Sequence, residues 1–199
     1  MSTIARMGEA LSESARTLEA FRADDRNLVA MDRFAEIAAD CLRSGGRIMS
    51  CGNGGSMSDA MHFAQELSGC FRDRRDALAA FALSDPAAMS CIANDFGYDE
   101  VFARQVQAQG REGDLLLLLS TSGNSPNVVR AAQAASALGI RTVGLLGNGG
   151  GKLIGEVDLA IVVPDATTSD RIQEIHILIV HAVIEAIESR LFRAGHETD

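Results

Sequence analysis

The sequence predicts an α/β fold in which a parallel sheet of five strands is covered by helices on both faces. Short apolar runs of strand length alternate along the chain with longer segments in which apolar residues recur every three or four positions. Glycine-rich turns at residues 52–55 and 147–151 separate several of these segments. Alternation of this kind is typical of parallel sheets, because a parallel strand needs a crossover connection, usually a helix, before the next strand.

The first two elements are predicted to be amphipathic helices that form an N-terminal extension before the sheet. Apolar residues at helical spacing predict them: Ile4, Met7, Leu11, Leu18 and Phe21 in the first, then Leu28, Met31, Phe34 and Cys41 in the second. The five strands are expected at Arg47–Cys51, Ala79–Leu83, Leu115–Leu119, Thr142–Leu146 and Leu159–Val163. Further helices are expected near Met57–Ser68, Pro86–Asn94, Asp99–Gln109, Asn127–Leu138 and, as a last long helix, from about Asp170 to Phe192.

The composition fits one globular domain. The chain has 199 residues, of which 47% are hydrophobic, and no linker or internal repeat divides it. A chain of this length buries roughly 70% of its unfolded surface on folding. We therefore expect a single domain over residues 1–199, with N-terminal helices in 1–45, an αβα core in 46–192 and a tail at 193–199.

Charge, hydropathy and cysteine content exclude several classes of function. The net charge of −9 argues against a nucleic-acid surface, so any anion site must be local. No apolar run approaches the ~18 residues of a membrane-spanning helix, and the first residues lack the apolar core of a signal peptide. Four cysteines without paired spacing indicate reduced thiols. We expect a cytoplasmic protein that binds neither nucleic acid nor a membrane.

The most informative segment is a buried strand that ends in a loop rich in hydroxyl groups. Five leucines precede the sequence STSGNSP, in which Ser125 takes the N-cap position and Pro126 the first position of a helix. Free backbone N–H groups and the positive end of the helix dipole meet four hydroxyls there, an arrangement that suits phosphate. The alternative is that Ser125 only caps the helix and the other hydroxyls only fill a turn. Phosphate binding is favoured because a helix cap needs only one hydroxyl, whereas this loop has four within six residues.

A glycine-rich loop follows the first predicted strand and leads into a helix in the same way. Its sequence is CGNGGS at residues 51–56, and Ser56 and Asp59 are spaced as a capping box. The loop matches neither GxGxxG nor the P-loop lysine pattern, so it is a weak signal alone. Ligands of open parallel sheets bind at the carboxyl ends of strands. The two loops are therefore expected to line one pocket.

Two pairs of polar side chains on separate helices are candidates for metal binding or acid–base catalysis. His62 and Glu66 are four residues apart and share a helix face, while the last helix carries Gln173 and His181 among apolar residues. His62, Glu66 and His181 suit zinc with an open position, and Gln173 would add a weaker oxygen ligand. The alternatives are that His62 and Glu66 form an ordinary pair on a helix surface and that His181 is a core histidine with its hydrogen bonds satisfied. His176 competes with His181, but the two lie ~140° apart around the helix.

Five motifs together resemble the phosphoheptose isomerases, a group within the sugar-isomerase (SIS) domain family. They are CGNGGS, DAMHFAQEL, IANDFGYD, STSGNSPN and RIQEIHILIVH, and the similarity runs in order from about residue 5 to residue 192. The resemblance implies a three-layer αβα sandwich with a flavodoxin-like sheet, in a cytoplasmic homotetramer. It also implies conversion of sedoheptulose 7-phosphate into D-glycero-D-manno-heptose 7-phosphate through an enediol, the first step towards nucleotide-activated heptose. Many members bind zinc, so one zinc ion per subunit is expected.

The resemblance also implies a role for each matching position. Phosphate binding is implied for Ser56, Ser120, Thr121, Ser122 and Ser125. Contact with the rest of the substrate is implied for Asn53, Gly54, Gly55, Glu66, Asn94 and Asp95, and closure of the pocket for Asp170 and Gln173. Zinc ligation is implied for His62, Glu66, Gln173 and His181. Glu66 and His181 also match the proposed acid–base pair; we favour Glu66 as base with zinc assisting, although a carboxylate that binds zinc is a poorer base.

The sequence departs from the family pattern at Cys70, and two functions other than catalysis are weighed against the isomerase. Cys70 stands where many relatives have an arginine, and Arg72 is a candidate substitute for that cation. Some SIS-domain relatives are non-catalytic tetramers that bind the replication initiator protein, but they lack the glutamate and histidine present here as Glu66 and His181. A domain that only senses a sugar phosphate would need the serine loop without this acid–base pair. We therefore expect an isomerase that binds a phosphorylated seven-carbon sugar.

Overall fold

The computed structural model describes residues 1–164 and 168–193, and it confirms the predicted fold class. The strands are β1 (Ile48–Gly52), β2 (Ala80–Ala82), β3 (Leu115–Ser120), β4 (Arg141–Gly147) and β5 (Leu159–Val163). All neighbours pair in parallel, in the order β2-β1-β3-β4-β5. Each predicted strand overlaps an observed one. Residues 194–199 of the expected tail lie outside the described residues.

The helices follow the predicted alternation. They are α1 (Thr3–Arg22), α2 (Asp25–Arg43), α3 (Gly55–Ser68), α4 (Pro86–Phe96), α5 (Ala103–Gln109), α6 (Pro126–Ala137) and α7 (Ser169–Glu188). Turns of 3₁₀ helix lie at Tyr98–Glu100 and Asn148–Gly155, and a π-helical turn at Ser189–Arg193 follows α7.

Two of the expected helices were wrong in extent. The segment expected as one helix at Asp99–Gln109 divides into a 3₁₀ turn and α5, and the buried side chains of Val101 and Phe102 lie at the division. These two side chains are buried where the helix is interrupted, and the spacing of apolar residues in the sequence does not reveal that interruption. The last helix ends at Glu188, and a π-helical turn replaces the regular helix expected up to Phe192.

The alternating side chains of β3 divide the interior into two apolar layers. Leu115, Leu117 and Leu119 pack into a cluster with residues of α2, α3 and α7. Leu116 and Leu118 pack into a second cluster with residues of α5 and α6 on the opposite face. Both faces of the sheet are therefore covered, as expected for parallel strands.

The register of the sheet places the two predicted loops side by side. Gly52 at the end of β1 pairs with Leu119, one residue before the end of β3. The glycine-rich loop and the serine loop therefore leave neighbouring strands at the same edge of the sheet. The chain enters α3 from the first loop and α6 from the second.

The first half of α1 presents an apolar stripe to solvent in this single chain. Ile4, Met7 and Leu11 are 77%, 55% and 74% exposed, whereas Phe21 at the other end of α1 is buried in the core. An uncovered apolar stripe of this kind is unusual on a monomer. Among the described residues, no helix combines the length and the apolar character needed to cross a membrane.

Candidate active site

A pocket of about 270 Å³ opens at the carboxyl ends of β1 and β3. Most of its lining comes from the two loops that the sequence singled out. The lining residues are Asn53, Gly54, Gly55, Ser56, Leu119, Ser120, Thr121, Ser125, Ser169 and Gln173. Hydroxyl groups and backbone at the start of two helices dominate this wall, and such a wall is suited to an anion.

Ser125 occupies the N-cap position of α6, but its hydroxyl does not cap the helix. The Ser125 Oγ atom instead lies 3.5 Å from Ser120 Oγ, at the end of β3. Pro126 begins the helix, as predicted. The hydroxyl of Ser125 therefore remains available to a ligand, which argues against the interpretation that it serves only as a cap.

Ser122 has a different position from the other hydroxyl residues of the loop. Its Oγ atom accepts a hydrogen bond from the backbone N–H of Asn124, and it does not line the pocket. The side chain of Asn124 accepts a hydrogen bond from the N–H of Lys152, so the loop is tied to the 3₁₀ turn after β4. A Cβ atom on Gly123 would lie 2.0 Å from the carbonyl oxygen of Gly150, so only glycine fits there.

The glycine-rich loop is held by a pair of asparagines. The amides of Asn53 and Asn127 donate hydrogen bonds to each other's oxygen atoms at 2.9 Å, and the hydroxyl of Tyr98 donates to Asn53 Oδ1 at 3.2 Å. Sequence reasoning missed Asn127, although the STSGNSPN motif contains it. A Cβ atom on Gly55 would lie 2.6 Å from the amide of Gln173, so this glycine lets α7 approach the loop closely.

The capping box expected between Ser56 and Asp59 was wrong. Gly54 is the N-cap of α3, with a φ of 56°, and Ser56 lies inside the helix. Asp59 is half-buried, and its Oδ2 atom has no hydrogen-bond partner. Burial raises the pKa of Asp59 to about 6, while the nearby imidazole of His62 acts in the opposite direction.

The structure brings His62, Glu66 and His181 together from two helices. Glu66 Oε1 lies 3.2 Å from His62 Nε2, and the Nε2 atoms of His62 and His181 are 3.0 Å apart. The ring of Phe71 stacks on the ring of His181 at a centroid distance of 5.7 Å. A carboxylate and two imidazoles therefore converge beside an aromatic face; helical spacing predicted the pairing of His62 with Glu66, and the family resemblance suggested that His181 joins them.

The donor set is chemically suited to zinc. Within the described residues, however, no group of three or more His, Cys, Asp or Glu side chains has the arrangement of a metal site. Two imidazole ligands on a tetrahedral zinc ion would be about 3.3 Å apart, a little more than the separation of the two Nε2 atoms here. Gln173 lines the neighbouring pocket, with its amide against Gly55.

The remaining predicted substrate contacts lie outside the pocket wall. Asn94 and Asp95 are exposed in the last turn of α4, where the Asn94 amide donates to Asp95 Oδ1 at 2.7 Å. Asp170 is exposed in the first turn of α7; a hydrogen bond from Thr168 lowers its pKa, and its neighbour Ser169 lines the pocket instead. Ser169 carried no sequence signal of its own.

Arg72, the candidate substitute for the arginine that Cys70 replaces, does not line the pocket. Cys70 is exposed, and its thiol donates to the carbonyl of Asp73. Arg72 forms an ion pair with Glu185 on α7 at 2.8 Å and lies over the ring of Phe71. Arg72 therefore packs against the Phe71 ring and α7, and it does not line the pocket of hydroxyl groups.

His176 is not part of the convergent cluster. It is fully buried, and its Nε2 atom lies 3.2 Å from the carbonyl oxygen of Leu146 at the end of β4, while Nδ1 has no partner. Burial lowers the pKa of His176 to about 4, so the ring is neutral at pH 7. The ambiguity between the two histidines of α7 is thus resolved geometrically: His181 faces α3, and His176 supports the sheet.

Comparisons with known proteins point to one family. Residues 11–147 match the family model of the SIS domain. The chain is 50% identical over 184 residues to a phosphoheptose isomerase of Yersinia pestis, covering 92% of this chain and 95% of that protein. It is also 50% identical to a phosphoheptose isomerase of Vibrio parahaemolyticus over 181 residues, which is 91% of this chain and 95% of the relative.

Two solved structures share the whole fold. The phosphoheptose isomerase from Neisseria gonorrhoeae matches with a TM-score of 0.88 and 39% identity, over 94% of this chain and all (100%) of that chain. The phosphoheptose isomerase from Francisella tularensis matches with a TM-score of 0.90 and 32% identity, over 95% of this chain and 100% of that chain. The chain therefore belongs to the SIS domain family and, within it, to the phosphoheptose isomerases.

Proposed function

We propose that this chain is an aldose–ketose isomerase that converts sedoheptulose 7-phosphate into D-glycero-D-manno-heptose 7-phosphate, the first step towards nucleotide-activated heptose. The observation that carries the proposal is the convergence of His62, Glu66 and His181 between α3 and α7, the two helices that also reach the pocket of hydroxyl groups. The 50% identity to phosphoheptose isomerases supports the same substrate.

The hydroxyl-rich pocket would hold the phosphate end of the sugar. Ser120, Thr121 and Ser125 supply hydroxyls, and the N-terminus of α6 supplies backbone N–H groups and a positive dipole. Binding energy gained at the phosphate, remote from the reacting carbons, is available to position the other end of the substrate. This arrangement suits a chain of net charge −9 because it needs no basic surface.

Glu66 and His181 are suited to move the protons of the reaction. Isomerisation removes a proton from C1 of the ketose and returns one to C2, while protons are exchanged on the two oxygens of the enediol. Glu66 would act as the base at carbon, and His181 would donate to and accept from the oxygens. His62, in contact with both side chains, would keep them in place.

Zinc would be held by His62, Glu66 and His181, with Gln173 as a fourth donor from the same helix as His181. When bound, the ion would supply Lewis-acid polarisation of the substrate oxygens. The two facing Nε2 atoms support this assignment because neutral imidazoles that meet at this distance share either a proton or a cation. Glu66 can serve as base only if its carboxylate keeps an oxygen that does not bind the ion.

The non-catalytic alternative, a tetramer that binds the replication initiator, has less support. Relatives with that role lack the glutamate and histidine at the positions of Glu66 and His181. Both residues are retained here, and their side chains converge on His62.

The proposed enzyme is a homotetramer in the cytoplasm. The exposed stripe of Ile4, Met7 and Leu11 on α1 supports association with further copies. All four cysteines are free thiols, which favours a reducing compartment.

The function is tested by incubating purified protein with sedoheptulose 7-phosphate and following the sugar by NMR. We expect the anomeric signals of the aldose to appear and to grow to a constant ratio with the ketose. Other ketose phosphates of five or six carbons serve as specificity controls. If the sedoheptulose phosphate binds and stays unchanged, the chain is a sensor or a binding protein and the proposed activity is wrong.

A further inference from the structure

Arg75 is a buried arginine in the segment between α3 and β2, and its guanidinium group connects the two helices of the proposed active site. Its side chain is only 5% exposed. Nη2 donates to the carbonyl oxygen of Glu66 at 2.7 Å, and Nη1 donates to the carbonyl oxygens of Leu67 and Asp76, both at 2.9 Å. Nε donates to the carboxylate of Glu188 at 2.6 Å.

The first set of bonds fixes the end of α3. The last carbonyl groups of a helix have no partner within the helix, and a nearby cation stabilises them. The last turn of α3 has no basic residue of its own. Arg75 supplies that cation from outside the helix, and one of the carbonyls it binds belongs to Glu66 itself.

The bond to Glu188 fixes the end of α7. Glu188 lies seven residues after His181, so at 3.6 residues per turn the two side chains are within roughly 20° of each other around the axis. Its side chain is 10% exposed. The guanidinium of Arg75 is therefore bonded to the backbone at Glu66 and to the face of α7 that carries His181.

We propose that the Arg75–Glu188 ion pair is a positioning device that sets the separation of Glu66 from His181. The inference rests on the proposed function and adds a residue outside the pocket to it. Arg75 is a positioning residue because its bonds reach the backbone of Glu66 and the carboxylate of Glu188, and it acts on the substrate only through the two helices.

A role in stability alone would not require this geometry. A buried ion pair is weak evidence for stability, since its desolvation cost offsets much of the attraction, and apolar side chains of similar size often serve as well. The planar guanidinium does what an apolar side chain cannot, because it holds several carbonyl and carboxylate oxygens in fixed directions at once. Catalysis needs such precision, since a displacement of ~1 Å can lower a rate ~10²-fold.

The test measures kcat, KM and the unfolding temperature for Arg75→Gln, Arg75→Lys and Glu188→Gln. We expect kcat to fall roughly 10- to 100-fold in Arg75→Gln and less in Arg75→Lys, with KM for the phosphosugar changed by less than about threefold. KM is spared because the phosphate pocket lies at the other end of α3. Arg190→Gln is the matched control, since Arg190 lies in the turn after α7 and its guanidinium pairs with Asp32 of α2, not with a residue of α3. It should leave kcat unchanged.

A second measurement separates this inference from the proposed function. The ¹⁵N NMR signals of the His62 and His181 rings report the contact between their Nε2 atoms without substrate, and we expect them to shift in Arg75→Gln but not in Arg190→Gln. If the wild-type protein does not isomerise the sugar, the proposed function is wrong. The ring signals alone then test whether Arg75 positions the two histidines. Variants that unfold at lower temperature but keep both kcat and the ring signals would show that the pair is only structural. Failure of all three variants to fold would lead to the same conclusion.

Discussion

The imidazole rings of His62 and His181 meet at their Nε2 atoms, which lie 3.0 Å apart although 119 residues separate them in the chain. At this distance both atoms cannot carry a proton, so one donates to the other unless a cation lies between them. Glu66 Oε1 is 3.2 Å from the same atom of His62. The proposed acid–base catalysis and the proposed zinc site therefore depend on the same few atoms, and each proposal can be tested separately.

Glu66→Gln should abolish isomerisation while the protein stays folded. The amide keeps the shape of the carboxylate but cannot accept a proton from carbon, so kcat should fall at least ~10²-fold. The phosphosugar should still bind, because the hydroxyl pocket is built by other residues. Calorimetry measures binding and NMR measures turnover. Retention of more than about a tenth of wild-type turnover would show that another group is the base.

Zinc or a similar divalent ion should bind at His62, Glu66, Gln173 and His181. Elemental analysis after gentle purification should find about one zinc ion per chain, and the His62→Ala/His181→Ala double variant should have lost it. Imidazole ligands must be neutral, so the affinity should fall on acidification. Equal metal in the two proteins would place the ion elsewhere. Absence from both would favour metal-free acid–base catalysis.

Ser125→Ala should weaken binding of the phosphate end. The hydroxyl of Ser125 does not cap α6, so its removal should leave the unfolding temperature nearly unchanged. Loss of one hydrogen bond to a charged phosphate costs about 1.5–3 kcal/mol, which corresponds to a KM roughly 10- to 150-fold higher. Ser122→Ala is the informative comparison, because the family resemblance implies a phosphate contact there whereas the structure engages this hydroxyl with Asn124. An equal rise in KM for both variants would mean that the loop rearranges around the ligand.

His176 should make the protein less stable in mild acid. Burial lowers its pKa from 6.5 to about 4, so between these pH values the unfolded chain binds a proton that the folded chain excludes. The contribution is fully present above pH 6.5 and decreases as the pH falls towards 4, by a total of about 3 kcal/mol. Denaturant unfolding at fixed protein concentration across this range measures it. His176→Gln can still donate to Leu146 but does not titrate, so its pH dependence should be weaker, and an unchanged slope would contradict the assignment.

The strands and the two loops were predictable because their signals are local. The run Leu115–Leu119 is apolar, ends in small polar residues and is followed by Pro126, so both the strand and the start of α6 could be located from the sequence. The pairing of His62 with Glu66 follows from helical periodicity alone. Their approach to His181 was suggested by the family resemblance, and it requires α3 and α7 to pack together.

The residues that sequence reasoning missed depend on contacts between distant segments. Asn127 has a role only because Asn53, 74 residues earlier in the chain, faces it across the loops. Arg75 stands in the run RDRR, which is typical of a solvated surface, and only tertiary packing buries this one arginine against Glu188. Ser169 lines the pocket because α7 begins there, and no spacing in the sequence fixes the direction of that helix.

The last prediction is that the chain is a homotetramer whose active sites depend on α1 of neighbouring copies. Light scattering at low micromolar concentration should report about four times the chain mass of 21.1 kDa. The variant Ile4→Ser/Met7→Ser/Leu11→Ser changes only side chains that are exposed in the single chain, so a monomeric enzyme should tolerate it. In a tetramer it should instead lower both the mass and the activity, as should deletion of residues 1–24. Leu138→Ser, an exposed apolar position at the end of α6, is the control and should change neither. A fully active monomer from any of these proteins would overturn the dependence of the site on neighbouring copies.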